Sequence, residues 1–158
     1  MSLSQRLAEY IAAAFTGLWV QSHEHADALI EIARLCRERK WASAVWDIDR
    51  GLQVAGQATA NATDPIAAIK SINSLATADG SALLVLPNFH RFLQSTEIVQ
   101  ALAHQIHQGK QNRTFVLILS PVVQVPIELE KHFVVIEHDL PDRDQLHQIA
   151  QGIATEAG

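Results

Sequence analysis

Residues 115–141 read FVLILSPVVQVPIELEKHFVVIEHDLP. Two short runs in this stretch, residues 115–119 and residues 133–136, are apolar at every position. A strand with apolar side chains on both faces is typical of a parallel sheet that helices cover on both sides. The stretch therefore predicts two buried strands of an α/β domain, joined by a connection that contains two prolines.

The rest of the chain repeats this alternation. Residues 17–20, 43–48 and 82–86 are three more short, mainly apolar runs, separated by stretches with apolar residues at three- and four-residue spacing. Such alternation predicts a three-layer αβα sandwich with a five-stranded, mostly parallel sheet. Residues 51–63 hold small and polar side chains and are expected to form a loop.

Capping residues predict where the helices begin and end. Ser22 is a candidate N-cap for the helix after the first strand. Asp64 and Pro65 mark another start, because Asp accepts hydrogen bonds from free amides and Pro fits the first helical position. Ser95 or Thr96 caps a helix that is expected to end at Gly109.

Length and composition indicate one domain and exclude several classes of protein. The chain has 158 residues, of which 48% are hydrophobic and only 18% charged, enough to bury a sizeable core. Its net charge of -5 argues against a nucleic-acid partner, and no apolar run approaches the length that spans a membrane. Cys36 is the only cysteine, so an intramolecular disulfide is excluded and a reducing, cytoplasmic location is expected.

The order of segments resembles the ATPase core of AAA+ proteins, a P-loop NTPase fold. Four stretches carry a closer resemblance: residues 19–28 (WVQSHEHADA), 46–52 (WDIDRGL), 83–93 (LLVLPNFHRFL) and 115–141. They are similar to the degenerate N-terminal ATPase-like domain of an uncharacterised AAA-type ATPase family found in cyanobacteria, plastids and other bacteria. The resemblance implies that residues 1–158 form a single domain of this kind.

In members of that family an intact AAA module follows the domain. The resemblance therefore implies that this chain is the N-terminal part of a longer protein, with residues 1–15 as a leading helix and residues 141–158 as the start of a lid-like helix. It also implies that the partner is an AAA+ ATPase module in the same or another chain, and it is compatible with an oligomer.

The loop after the first predicted strand lacks the residues of a phosphate-binding loop. A working P-loop needs glycines, so that backbone amides can surround the phosphates, then a lysine and a Ser or Thr for magnesium. This sequence has Gln21, Ser22, His23, Glu24 and His25 there, without glycine or lysine, and Glu24 would repel phosphate. The sequence therefore predicts that the P-loop is not functional.

The other parts of an ATPase site are also missing. Carboxylates should end the third predicted strand to hold magnesium, but Pro87 and Asn88 follow it. Ser120 occupies the sensor position and cannot replace the metal ligands. The sequence predicts a vestigial nucleotide pocket, no catalytic residue and no enzyme activity for this chain; the pocket comprises Ser22, His23, Glu24, Pro87, Asn88 and Ser120.

The histidines do not predict a metal site. His23 and His25 are alternate residues at a helix start and point apart, whereas His104 and His107 share one face of a helix. A third ligand is not evident near either pair, although zinc sites need three or four converging ligands. We therefore expect neither a metal ion nor another cofactor.

Two further groups of residues are candidates for function. Asp47 and Asp49 lie at the end of the second predicted strand, where with His90 they would serve a small-molecule enzyme. A phosphoacceptor receiver domain is excluded because the third strand ends without an aspartate. The segment just past that strand is a candidate contact patch, consisting of Phe89, His90, Arg91 and Phe92.

Together these observations favour a non-catalytic regulatory or assembly domain of an AAA+ ATPase. An ATPase domain keeps its core and its interfaces when its active-site residues change, and the inference rests on fold-level analogy. Two alternatives stay open: a sensor that binds ATP or ADP without hydrolysis, and the small-molecule enzyme at the carboxyl edge of the sheet.

Overall fold

A computed structural model describes residues 2–55, 63–77 and 80–138 of the protein. Six strands and four α-helices lie in these ranges. They are α1 (Leu3–Ala12), β1 (Gly17–Gln21), α2 (His25–Arg39), β2 (Ala42–Asp47), β3 (Gly51–Val54), α3 (Pro65–Ser71), β4 (Ala82–Pro87), α4 (Thr96–Asn112), β5 (Thr114–Ser120) and β6 (Val134–Glu137). Three short 3-10 helices, Ile72–Leu75, Phe89–Phe92 and Ile127–Leu129, connect them. The lid-like helix expected near residue 142 lies outside the described residues.

The sheet has the order β3-β2-β4-β5-β1-β6. The five predicted strands are all present and mutually parallel, which confirms the α/β class. Helices cover both faces: α1 and α2 pack on one, and α3 and α4 on the other, so the predicted three layers are present. Because β5 lies between β4 and β1, the carboxyl ends of these three strands meet at one edge.

The prediction of a loop over residues 51–63 is wrong for its first four residues. Gly51–Val54 form β3, a sixth strand, which is antiparallel to β2. A tight turn creates it: the Asp47 side chain accepts hydrogen bonds from the backbone N–H groups of Asp49 and Arg50, at 3.0 and 2.6 Å. Gly51 follows with a φ of 76°, which a glycine adopts without strain. The strand has only two apolar side chains, so its hydrophobic pattern does not reveal it.

The two large hydrophobic clusters lie on opposite faces of the sheet. One contains Trp19, Trp46 and Phe89 with the apolar sides of α3 and α4, and the other joins β1, β4 and β5 to α1 and α2. Every residue of β5 is buried, as expected for a central strand. The doubly apolar pattern thus correctly predicts that β5 is buried on both faces. For residues 133–136 the same prediction is wrong, because β6 is an edge strand and its Val135 is 44% exposed.

Two of the predicted helix starts are confirmed and one is wrong. The side chains of Asp64 and Ser95 accept hydrogen bonds from N–H groups in the first turns of α3 and α4. Ser22 does not cap α2, because the helix begins three residues later with Glu24 as its N-cap and without a side-chain cap. The predicted end of α4 at Gly109 is also early, since the helix continues to Asn112.

Candidate functional site

The carboxyl edge of the sheet brings together the termini of the strands that an ATPase-like site would use. Gln21 at the end of β1 is paired with Ser120 at the end of β5, and Leu119 is paired with Pro87 at the end of β4. Ser22 and Asn88 follow directly. The structure therefore places these four residues of the predicted vestigial pocket at one edge. Ser22 and Ser120 are buried, whereas Asn88 is exposed, as are His23 and Glu24.

The loop after β1 is closed by its own hydrogen bonds. Ser22 is only 1% exposed, and its backbone N–H donates to the carbonyl oxygen of Ser120 at 2.9 Å. The Ser22 side chain accepts from the backbone N–H of Glu24 at 3.0 Å and lies 2.7 Å from Nδ1 of His138. Two of the amides that a P-loop would direct at phosphate are therefore already bound within the protein.

His138 continues this network beyond the residues that the sequence singled out. Its backbone N–H donates to the carbonyl oxygen of Gln21 at 2.8 Å, and its Nε2 lies 3.6 Å from a carboxylate oxygen of Glu31. The order Ser22, His138, Glu31 has the chemistry of a nucleophile, a base and an acid. However, the buried Ser22 hydroxyl lines none of the three cavities found in the described part of the chain, so we assign the network to holding β1, α2 and β6 together.

Ser120 belongs to a second buried network at this edge. Its hydroxyl accepts a hydrogen bond from Nε1 of Trp19 at 3.1 Å and donates to the carbonyl oxygen of Val122. The same indole N–H also lies 3.1 Å from the carbonyl oxygen of Val122. Because Ser120 is fully buried and its hydroxyl both donates and accepts a hydrogen bond, it fixes the loop after β5 instead of facing an open pocket.

The predicted contact patch divides into a buried and an exposed part. Phe89 is fully buried and, with the half-buried Phe92, packs edge-on against Trp46 at ring-centroid distances of 5.8 and 5.7 Å. Arg91 is exposed and His90 half-buried. Phe89 is therefore part of the core, and only the other three residues can contribute to a contact.

The largest cleft lies beside this patch and has a volume of about 780 Å³. Its two most exposed apolar side chains are Ile30 on α2 and Ile48 in the turn after β2, at 57% and 58%. Sequence reasoning missed this surface, although Ile30 falls outside the buried stripe of α2, which is the available signal. The lining is completed mainly by Leu29, Ala33, Val45, Asp47, Asp49, Arg50, Pro87, Asn88, Arg91 and Phe92.

The lining of this cleft can be compared with the three residues proposed for a small-molecule enzyme. Asp47 and Asp49 line it, but His90 does not. The Asp47 carboxylate is also used to form the turn into β3. The structure thus brings two of the three proposed residues to the cleft and gives one of those two a structural role.

Two histidines at this edge have buried ring nitrogens without a partner in the described part of the chain, namely Nε2 of His25 and Nδ1 of His90. Burial lowers the pKa of His25, the charge of His23 adds to this, and a hydrogen bond to the backbone of Ser22 opposes it. Burial also lowers the pKa of His90, with additional contributions from Arg91 and His25. Both imidazoles are therefore held neutral.

These shifts predict how stability depends on pH. A histidine whose pKa is lower in the folded state stabilises the protein above the unfolded value of about 6.5 and loses that contribution as the pH falls toward the folded value. We expect the free energy of unfolding to fall below about pH 6.5, and to fall less in His25→Gln and His90→Gln variants. Urea unfolding at several pH values measures this.

His104→Gln and His107→Gln variants provide the control for that measurement, because both side chains are exposed on α4 and neither belongs to the pair with buried ring nitrogens. An unchanged slope in the His25→Gln and His90→Gln variants would contradict the prediction.

Neither a metal site nor a reactive thiol is found elsewhere in the described part of the chain. Within residues 2–55, 63–77 and 80–138, no three His, Cys, Asp or Glu side chains converge, and the absence of a metal stays a prediction. Burial raises the pKa of Cys36 to about 11, as expected for an unreactive thiol inside a helix. No helix in the described ranges is long and apolar enough to cross a membrane.

The fold and the edge geometry define an ATPase-like α/β domain of the three-layer class. The family model described as "SpoVK-like AAA ATPase, N-terminal domain" matches residues 3–138, which is most of the chain. The chain therefore belongs to the SpoVK-like AAA ATPase N-terminal domain family. The resemblance to an AAA-type N-terminal domain is thereby confirmed, and comparison with curated proteins gave no match.

Proposed function

We propose that this domain does not hydrolyse ATP and that it regulates or helps to assemble an AAA ATPase module in the same or a partner chain, in the cytoplasm. Membership of an AAA ATPase N-terminal family supports a role beside such a module. Degeneration of the nucleotide pocket is the second half of the proposal, and it rests on the hydrogen bonds at the carboxyl edge.

The observation that carries the proposal is the closed loop after β1. Phosphate binding at a helix start needs free backbone N–H groups. Here the N–H groups of Ser22 and Glu24 are engaged, and Glu24 adds a negative charge beside them. At the end of β4, the backbone N–H of Asn88 is also engaged, donating to the carbonyl oxygen of Leu119 at 2.7 Å. Binding a triphosphate would require these bonds to break.

A contact role is supported by the cleft that contains Ile30 and Ile48. Two isoleucines exposed by more than half on one cleft form an apolar surface of the kind found at protein–protein contacts. Arg91 lies at its margin, so the cleft includes part of the predicted contact patch.

One observation favours the nucleotide sensor as a second candidate. The first turn of α2 has no side-chain cap, so its remaining N–H groups are available to an anion. In that case the domain would bind ATP or ADP through the α2 terminus without turning it over.

A titration with a fluorescent ATP analogue in magnesium buffer, competed with unlabelled ATP and ADP, separates the two candidates. We expect no saturable binding up to about 1 mM nucleotide, equivalent to a binding free energy weaker than about -4 kcal/mol. A Glu24→Gln variant is the control: if it too fails to bind, the engaged N–H groups and not the charge prevent binding. Competed binding below about 100 μM would establish the sensor instead.

Sedimentation velocity of the same protein, alone and mixed with an AAA module of its family, gives the second readout. We expect a complex with that module or self-association, and an Ile30→Asp, Ile48→Asp double variant should weaken it. Ile127→Asp is the matched control, because this isoleucine is 77% exposed but does not line the cleft. A domain that stays monomeric and binds no module would contradict the assembly role.

A further inference from the structure

A second pocket lies at the opposite edge of the sheet, where the strands begin. It has a volume of about 400 Å³ and is formed by the turn after α1, the C-terminal half of α4 and the residues that lead into β6. It is thus separated from the vestigial nucleotide pocket by the length of the central strands. Its properties do not depend on whether the carboxyl edge binds nucleotide.

The ionisable side chains that line this pocket are all of basic residue types, and two of them are lysines. Lys110 comes from the last turn of α4, and Lys131 and His132 precede β6. Within the described ranges no Asp or Glu lines the pocket, although the whole chain carries a net charge of -5. Neither lysine forms an ion pair with a described residue. The pocket is therefore a local positive site on an acidic protein.

The floor of the pocket is apolar. Ile106 is buried, Val134 is half-buried, and the Phe15 ring is 46% exposed. Tyr10 holds that ring in place by an edge-on contact with a centroid distance of 5.4 Å. An exposed aromatic ring fixed beside two lysines offers apolar contact and positive charge to the same ligand.

The backbone around the pocket is held by close contacts. A Cβ at Gly17 would lie 2.1 Å from the carbonyl oxygen of His132, so these two segments touch directly. The hydroxyl of Thr16 donates to the carbonyl oxygen of Ile106, which joins the turn after α1 to α4. The pocket walls are therefore positioned before any ligand binds, which lowers the entropic cost of binding.

We propose that this pocket binds an acidic segment of a partner protein, with one aliphatic side chain of the segment on Phe15 and Val134 and flanking carboxylates at Lys110 and Lys131. The two lysines are complementary in charge to an acidic segment, and the apolar floor of the pocket is complementary to an aliphatic side chain within that segment. The proposal goes beyond the regulatory role, since it assigns a separate binding site and a ligand chemistry.

A compact anion such as free phosphate fits this pocket less well. Phosphate sites use convergent backbone N–H groups or helix N-termini. This pocket instead lies at the C-terminal ends of α1 and α4, where the helix dipole is negative. Carboxylates on an extended segment can meet the long lysine side chains farther from those helix ends.

Fluorescence anisotropy with the peptide EELEE, labelled at its amino end, tests the proposal on the full chain. We expect saturable binding that weakens as salt is added, because exposed ion pairs are screened. A Lys110→Glu, Lys131→Glu double variant should lose at least about tenfold in affinity, or about 1.4 kcal/mol. The peptide EEGEE should bind about tenfold more weakly than EELEE, because it lacks the apolar anchor.

The matched control is an Arg39→Glu, Lys70→Glu double variant. It changes the net charge by the same amount at exposed basic residues in the last turns of α2 and α3, away from the pocket. It should bind EELEE like the unaltered protein, and circular dichroism verifies that both double variants are folded.

Three results would overturn the proposal. They are equal affinity of EELEE for the two double variants, equal affinity of EELEE and EEGEE for the unaltered protein, and displacement of EELEE by inorganic phosphate at equal concentration. The last would identify a small-anion site. None of these results depends on ATP binding, so the proposed regulatory role can fail or hold separately.

Discussion

Replacing Trp19 with alanine is expected to lower the free energy of unfolding by about 4 kcal/mol. The side chain projects from β1, which lies between β5 and β6, into the cluster with α3 and α4; it is fully buried there and packs edge-on against Phe133 at a centroid distance of 5.6 Å. Its N–H also donates to the Ser120 hydroxyl and lies within hydrogen-bond distance of the Val122 carbonyl. Alanine removes both the packing and these bonds. Urea unfolding followed by circular dichroism measures the change.

A Trp19→Phe variant separates the two contributions. It keeps an aromatic ring against Phe133 and loses only the N–H donor, so we expect a smaller loss of about 1–2 kcal/mol. Trp41→Phe is the control, because this half-buried tryptophan has no described role in the edge network. If Trp19→Ala lowers the free energy of unfolding by less than about 2 kcal/mol, the prediction is contradicted. The surrounding residues would then fill the space left by the indole, or its hydrogen bonds would contribute little.

The Trp19 network bears on the proposed function because it includes Ser120, the residue that the sequence predicts at a sensor position. The Ser120 hydroxyl is bound between the indole of Trp19 and the carbonyl oxygen of Val122. With the Ser22 and His138 contacts on the other side of β1, two adjacent strand ends are closed by side chains. These contacts support the proposal that the nucleotide pocket is vestigial.

Much of the fold could be predicted because the deciding signals are strong and local. Fully apolar strands such as β4 and β5 identify a buried parallel sheet, and the Asp64 and Ser95 caps identify two helix starts. The sixth strand could not be found in this way. It exists because the Asp47 carboxylate binds two backbone amides of the turn, and that bond leaves no hydrophobic pattern.

For the candidate site, the sequence supports a prediction about its chemistry, which stays a prediction, and none about its geometry. The missing Gly, Lys and acidic residues are visible in sequence, so the vestigial pocket could be proposed. The partner of Ser22 could not, because His138 is 116 positions away and approaches only through the pairing of β6 with β1. The same holds for the basic pocket, whose lysines come from α4 and from the segment before β6.

Gly109 shows how packing can reverse a rule based on sequence. It lies within α4, where replacing glycine by alanine normally stabilises a helix by about 1 kcal/mol. Here a Cβ would lie 2.1 Å from the carbonyl oxygen of Thr114 at the start of β5, a contact that requires the backbone to move. We expect Gly109→Ala to lower the free energy of unfolding by about 2–3 kcal/mol, the upper part of the usual range for overpacking.

The backbone of Thr114 cannot move freely to relieve that contact. Its hydroxyl accepts a hydrogen bond from Gln105 at 3.1 Å and donates to Asn112 at 2.8 Å, and both of these side chains bond to Asn73. Moving Thr114 would therefore disturb a buried polar network as well as the first residue of β5, so relaxation is itself unfavourable. Gln108→Ala, an exposed substitution in the same turn of α4, should change stability by less than about 0.5 kcal/mol. A Gly109→Ala protein that is more stable than the original in urea would mean that α4 and β5 can separate at this point, and the close contact would then have no energetic role.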